Sequence, residues 1–157
     1  TDEVVFWGFK VLHAILFIAI PIFTVGFLPW LVGFLIFGLF AGFVLSIVFQ
    51  LAHTTEDTEF PVADPGTNKI EDEWAIHQLK TTANFATRNP LATWFMGGLN
   101  FQVEHHLFPK ISHIHYPKIN KIIKDTCKEY NIKYVEFPNV RNAVVSHFLF
   151  LKHLSRP

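Results

Sequence analysis

From Val11 to Thr55 the chain runs 45 residues without an Asp, Glu, Lys or Arg. One bilayer crossing takes roughly 20 apolar residues, so the stretch suits two crossings. Gly26 and Pro29 fall near its middle and mark the place to turn. The pattern predicts one span over about 6–25 and a second over about 30–51, joined by a short link into a helical hairpin. Pro21 lies inside the first span, where a kink is tolerated if neighbours satisfy the freed carbonyl. Trp30 stands where an interfacial aromatic would anchor. Apolar residues all round both helices fit lipid better than the core of a soluble protein.

The pattern changes after Thr55. Residues 56–73 carry seven acids and one Lys, with Pro61, Pro65 and Gly66 among them, which reads as a solvated loop. A helix is expected from about Asp72 to Thr87, ended by Asn89-Pro90. A short apolar helix over Leu91–Leu99 follows and leads through Gly97-Gly98. Residues 117–130 form an amphipathic pattern. Ile119, Ile122, Ile123, Cys127 and Tyr130 line one side, and Lys118, Lys121, Lys124 and Lys128 the other. Those lysines are either a solvated face or a contact with lipid headgroups. Asn131 can cap that helix. Tyr134–Pro138 reads as a short strand or extended link, and 139–154 as a last helix.

The expected fold class is therefore an all-α membrane protein. Residues 1–55 form a transmembrane helical hairpin, and 56–157 a mainly helical region. Twelve of the 13 Lys and Arg follow Thr55, which places that region in the cytoplasm by the positive-inside rule. Two crossings return the chain to its starting side.

Composition narrows the partners. A formal net charge of +0 argues against nucleic acid. Cys127 is the single cysteine, so neither a disulfide framework nor a cysteine-based zinc site is available, and it reads as a core residue. Thr1-Asp2-Glu3 is acidic and lacks an initiator Met, unlike a cleavable signal. The chain is expected to begin within a longer protein.

The candidate chemistry lies in the histidines. In Gln102-Val103-Glu104-His105-His106, positions 102, 105 and 106 are at i, i+3, i+4 and share one helical face. Two imidazoles and an amide then point the same way, which suits nitrogen ligation of a metal. Alone, such a pair reads equally well as a surface or cap feature. Gln50 and His53 sit at i, i+3 where the second apolar run ends. His13 falls near the start of the first span and reads as structural. His113 and His115 are two apart, so a helix would point them away from one another, and they read as cap or phosphate-facing residues.

The string QVEHHLFP at 102–109, preceded by WFMGGLN at 94–100, resembles the third histidine box of membrane fatty acid desaturases. Glutamine in its first position resembles the front-end branch, which includes delta-5 and delta-6 acyl desaturases and sphingolipid desaturases. The resemblance runs from about Val11 to about Pro138. It implies a di-iron centre that uses O2 to desaturate an acyl chain, with electrons from an external donor such as cytochrome b5 or a ferredoxin. The substrate would be an acyl-CoA or acyl-lipid drawn from membrane lipids. His53, which matches a family Gln-x-x-His, would be an iron ligand together with His105 and His106. Gln102, Gln50 and Asn84 would be weak ligands or hydrogen-bond partners near the site. His77 has no counterpart. The family's first two boxes, HxxxH or HxxxxH and HxxHH, are absent, as is the HPGG heme motif. Three imidazoles do not saturate two irons, so the expectation is a C-terminal desaturase portion, inactive alone. A related di-iron lipid hydroxylase or sphingolipid enzyme, or a non-catalytic membrane hairpin with a partner-binding tail, are the other readings.

Overall fold

A computed structural model describes residues 2–156. The chain divides into two compact units, Thr1–Leu45 and Ser46–Pro157.

The first unit is helical. Helix α1 (Asp2–Ala14) passes through a π turn (Ile15–Ala19) into α2 (Ile20–Val25), and α3 (Phe27–His53) follows. The helical run Asp2–Val25 has 24 residues and α3 has 27, each long and apolar enough to cross a membrane. The turn between them is Gly26 alone, at φ +90°, a conformation that favours glycine. Pro29 is not at the turn. It lies in the first turn of α3, where a missing N–H costs nothing. Helix α1 also starts earlier than the apolar pattern implied, because Asp2 and Glu3 suit the positive end of the helix dipole.

Pro21 explains the π turn. A proline ring collides with the carbonyl four residues back and offers it no N–H. The wider turn over Ile15–Ala19 contains that carbonyl, Phe17, and the Trp30 indole Nε1 donates to it at 2.9 Å. Trp30 thus serves the hairpin itself. His13 stacks on Phe17, with ring centroids 4.7 Å apart. Large apolar side chains stand free on both helices, Phe23 at 91% and Leu39 at 76% exposure. Such surfaces call for an apolar surrounding.

The last two turns of α3 belong to the second unit, so the division falls at Leu45/Ser46, before the expected 55/56. The cause is burial. Val48, Leu51 and Ala52 pack with Ala83, Phe85, Ala86, Val135, Phe137 and Ala143. A second cluster joins Leu79, Val103, Ile123 and Cys127.

The helix expected over 72–87 is only α4 (Trp74–Lys80), anchored by the Lys80–Asp72 ion pair at 2.7 Å. Residues 82–86 are all buried and non-helical, with 84–85 extended and Ala86 at φ +51°. The amides of Ala83, Asn84, Phe85 and Ala86 donate to the carbonyls of Ala52, Val135, Asn100 and Phe137 in turn, at 2.7–3.1 Å. These four tertiary bonds replace the helix ladder. Strand β1 (Asn84–Phe85) pairs in parallel with β2 (Glu136–Phe137), in register Asn84 with Glu136 and Phe85 with Phe137. Helix α5 (Pro90–Phe95) is capped by the Asn89 side chain and is shorter than expected, with a turn at 96–99. Helix α6 (Gln102–Leu107), a 3-10 turn (His113–His115), α7 (Tyr116–Glu129) and α8 (Val140–Leu154) complete the unit. On α7 the buried stripe is Tyr116, Asn120, Ile123 and Cys127. Ile122 and Tyr130 are instead 65% and 68% exposed, and Lys124 pairs with Glu136 rather than facing solvent alone. Asn131 takes φ +55°, the left-handed position that follows a helix end.

The Trp30 bond carries a test. Trp30→Phe should lower the unfolding free energy in detergent by about 1 kcal/mol, the usual worth of a polar bond between membrane helices. The loss should shrink in a Pro21→Ala background, where the Phe17 carbonyl regains a backbone donor. Equal losses in both backgrounds would refute this account.

Candidate functional site

The site is built from the end of α3 and from α6. The His53 and His106 rings meet edge to face at 4.9 Å, and the His105 and His106 rings at 5.8 Å. All three imidazoles are half-buried.

Their Nδ1 atoms are each engaged by oxygen. His53 Nδ1 lies 3.2 Å from the Thr81 carbonyl, His106 Nδ1 2.9 Å from Gln78 Oε1, and His105 Nδ1 3.3 Å from Tyr116 Oη. A carbonyl oxygen only accepts, so His53, and likewise His106, carries its proton on Nδ1. The lone pair is then on Nε2. Metal-binding histidines are oriented in this way, with the second nitrogen donating to an oxygen. Burial and the neighbouring His53 and His105 push the His106 pKa down to about 4. The neutral ring is the ligating form.

Helix α6 is held from below by a buried carboxylate. Glu104 has no exposed surface. It accepts from Asn84 Nδ2 at 2.6 Å and from Asn120 Nδ2 at 2.9 Å, with the Tyr134 hydroxyl at 3.4 Å. Asn84 Oδ1 accepts from the Val103 amide at 2.9 Å. Asn84 thus meets the box helix through its neighbours rather than through a histidine. Burial raises the Glu104 pKa, opposed by the Asn84 and Asn120 bonds. Burial also drives the Tyr134 pKa up, followed by the nearby Glu104 charge.

Gln102 is fully buried, and neither its Oε1 nor its Nε2 has a partner among the described residues. A buried amide with both ends open is costly, so the position points to an occupant that completes it. Gln50 is exposed and its Oε1 accepts from the Thr54 hydroxyl at 2.6 Å, so it acts within its own helix. His113 packs against Gly98, where a Cβ would come within 2.5 Å of the His113 Cβ. His77 Nδ1 is buried without a partner among the described residues. His147, on α8, faces the Thr54 carbonyl at 2.7 Å.

Among the described residues no three His, Cys, Asp or Glu side chains converge closely enough to hold one ion. The donor chemistry suits a nitrogen-bound metal, but as part of a larger ligand set. Sequence spacing missed Thr81, Gln78, Tyr116, Asn120 and Tyr134, which lie 11 to 30 residues from the groups they hold. Glu104 carried one signal, an acid on a face flanked by Phe101, Val103 and Leu107.

Paired membrane-length helices joined to a helical unit that clusters imidazoles define a class of histidine-rich membrane protein. The sequence profile described as fatty acid desaturase matches residues 3–138. The chain is 50% identical over 115 residues to an sn-1 linoleoyl-lipid 6-desaturase of Synechocystis sp., covering 73% of this chain and 32% of that protein. It is 43% identical over 150 residues to the protein of the same name from Arthrospira platensis, covering 94% and 40%. It is 43% identical over 121 residues to Delta(5) fatty acid desaturase A of Dictyostelium discoideum, covering 75% and 26%. The chain belongs to the fatty acid desaturase family. It spans about a third of the length of these relatives. No solved structure matches it.

Glu104→Gln replaces one acceptor by a donor that faces an asparagine N–H, and should cost about 1–3 kcal/mol. Glu104→Ala should cost more, since it strands both asparagine donors and opens a cavity. Thermal unfolding in detergent measures both. A neutral Glu104→Gln would refute the network's role.

The His106 shift predicts a pH dependence. As pH falls below about 6.5 the unfolded chain takes up a proton here that the folded chain refuses until about pH 4. Stability therefore falls through that window and levels off beneath it. Midpoints followed from about pH 7 to about pH 4 should show the fall, and His106→Gln should flatten it.

Proposed function

We propose that this chain is the C-terminal part of a front-end membrane desaturase, with residues 56–157 on the cytoplasmic side of a hairpin formed by 1–55. The observation that carries the reading is the cluster of three imidazoles, each with Nδ1 engaged by oxygen and Nε2 left over. His53, His105 and His106 would supply part of the ligand set of a di-iron centre. The remaining ligands would come from histidines outside this chain, because three imidazoles are too few for two irons.

Iron bound there would supply the O2-dependent oxidation that an unactivated methylene demands. The reaction consumes O2, two electrons and two protons, and converts –CH2–CH2– to –CH=CH– with release of two waters. The electrons would come from an external carrier such as cytochrome b5 or a ferredoxin. This chain's residues orient and neutralise the ligands. Thr81 and Gln78 fix the Nδ1 tautomers, burial keeps His106 uncharged, and the Glu104 network sets the pitch of α6. Gln102, buried with its amide open, would hydrogen-bond a bound water or serve as a weak ligand. Gln50, turned to Thr54, is left with a local helical role. The relatives named for linoleoyl-lipid favour a lipid-linked acyl chain over acyl-CoA as substrate.

A chimera tests this. Residues 3–138 would replace the matching segment of the Synechocystis relative, and cellular lipids would be analysed for new double bonds. Activity is expected, and in His53→Ala or His106→Ala a loss beyond the roughly 10- to 100-fold that follows removal of a ligand's hydrogen-bond partner. Desaturation that survives both substitutions would sink the proposal. The purified 157-residue chain alone should hold well under two irons.

A further inference from the structure

We propose that the cleft beside α5 binds the phosphate of a membrane phospholipid while α5 lies in the bilayer interface. The cleft measures about 440 Å³ and is lined by Thr87, Arg88, Thr93, Trp94, His113 and Ile114, with two prolines. Its hydroxyls are committed: Thr87 donates to Glu136, and Thr93 donates to the Asn89 carbonyl. Glu136 is itself neutralised by Lys124. Arg88 and His113 have no ion pair among the described residues, and they are the donors left to the cleft. A guanidinium offers two parallel N–H groups, the match for a phosphate diester. His113 is held in place by its close approach to Gly98, which takes φ +81°.

The rim of this cationic cleft is apolar and bare. Leu91, Trp94, Phe95 and Ile114 are 77%, 81%, 67% and 68% exposed. Three of the four sit on the six-residue α5. Exposed apolar patches of this kind mark an interaction surface. An indole beside an arginine suits the depth where acyl chains give way to phosphates. A chain with two membrane-length helices keeps a bilayer permanently at hand, which favours lipid over a soluble protein as the occupant. This site contains none of the candidate iron ligands and does not rest on the desaturase reading.

The test uses the 157-residue protein reconstituted in mixed vesicles of phosphatidylglycerol and an uncharged diacyl galactolipid with the same acyl chains. Lipids retained after detergent extraction are counted by native mass spectrometry. The wild type should enrich the phospholipid about tenfold, as for one charge-assisted pair. Arg88→Gln should abolish the preference, and Arg141→Gln, an exposed charge elsewhere, should leave it. Separately, in nanodiscs of acyl-brominated phospholipid, part of the tryptophan emission should be quenched, and the quenched share should drop in Trp94→Phe to what Trp7 and Trp30 of the two long helices contribute. Equal retention of both lipids, or Arg88→Gln behaving like Arg141→Gln, would overturn the phosphate site. Binding of inorganic phosphate without preference for the phospholipid would overturn the lipid as occupant. Unquenched Trp94 would overturn the interface placement in favour of a soluble partner.

Discussion

A carboxylate with no exposed surface must find donors or stay protonated, and in this chain that demand organises the polar unit. Glu104 draws Asn84 from the extended segment, Asn120 from α7 and Tyr134 from the segment before β2. The same Asn84 turns its oxygen to the amide of Val103. Three distant stretches are thereby tied to one six-residue helix that could not hold itself. Isolated helices of that length are unstable in water, so tertiary bonds must set its position. No cation takes part, and the donors are neutral. The arrangement is thus sensitive to shape rather than to salt.

The two histidines that follow Glu104 inherit this rigidity. His105 and His106 lie on α6 itself, and each is turned by an oxygen from another element. The Thr81 carbonyl does the same for His53, and the next residues of that extended segment carry the four amide bonds that build the core. Scaffold and ligand orientation therefore share one strand of chain. A displacement of residues 81–86 would disturb the core and the imidazoles together.

The hairpin obeys a different constraint. In lipid no water is at hand to satisfy a carbonyl, so Pro21 creates a debt that the π turn relieves sterically and Trp30 relieves by donation. Turning occurs at the one glycine with positive φ in that unit, since Gly26 alone reaches the required conformation without strain.

The linear pattern was enough for features with local causes. Forty-five uncharged residues can only be long apolar helices, and the i, i+3, i+4 spacing of Gln102, His105 and His106 needs only one helical turn. The amphipathic α7 was legible for the same reason, though the phase of its buried stripe was not, because Tyr116 and Asn120 are buried by partners rather than by hydropathy. What only the tertiary structure decided has non-local causes. Residues 82–86 leave the helical state because their partners, Ala52, Asn100, Val135 and Phe137, lie far off in sequence. Glu104 is organised by three donors that lie 16 to 30 residues away. Gln50 and His53 share a spacing that puts them on one helical face, yet burial separated them, one into an exposed helix edge and the other into a ring cluster. Periodicity reports what a residue's neighbours along the chain require, and hydrogen-bond satisfaction in a closed core depends on neighbours in space.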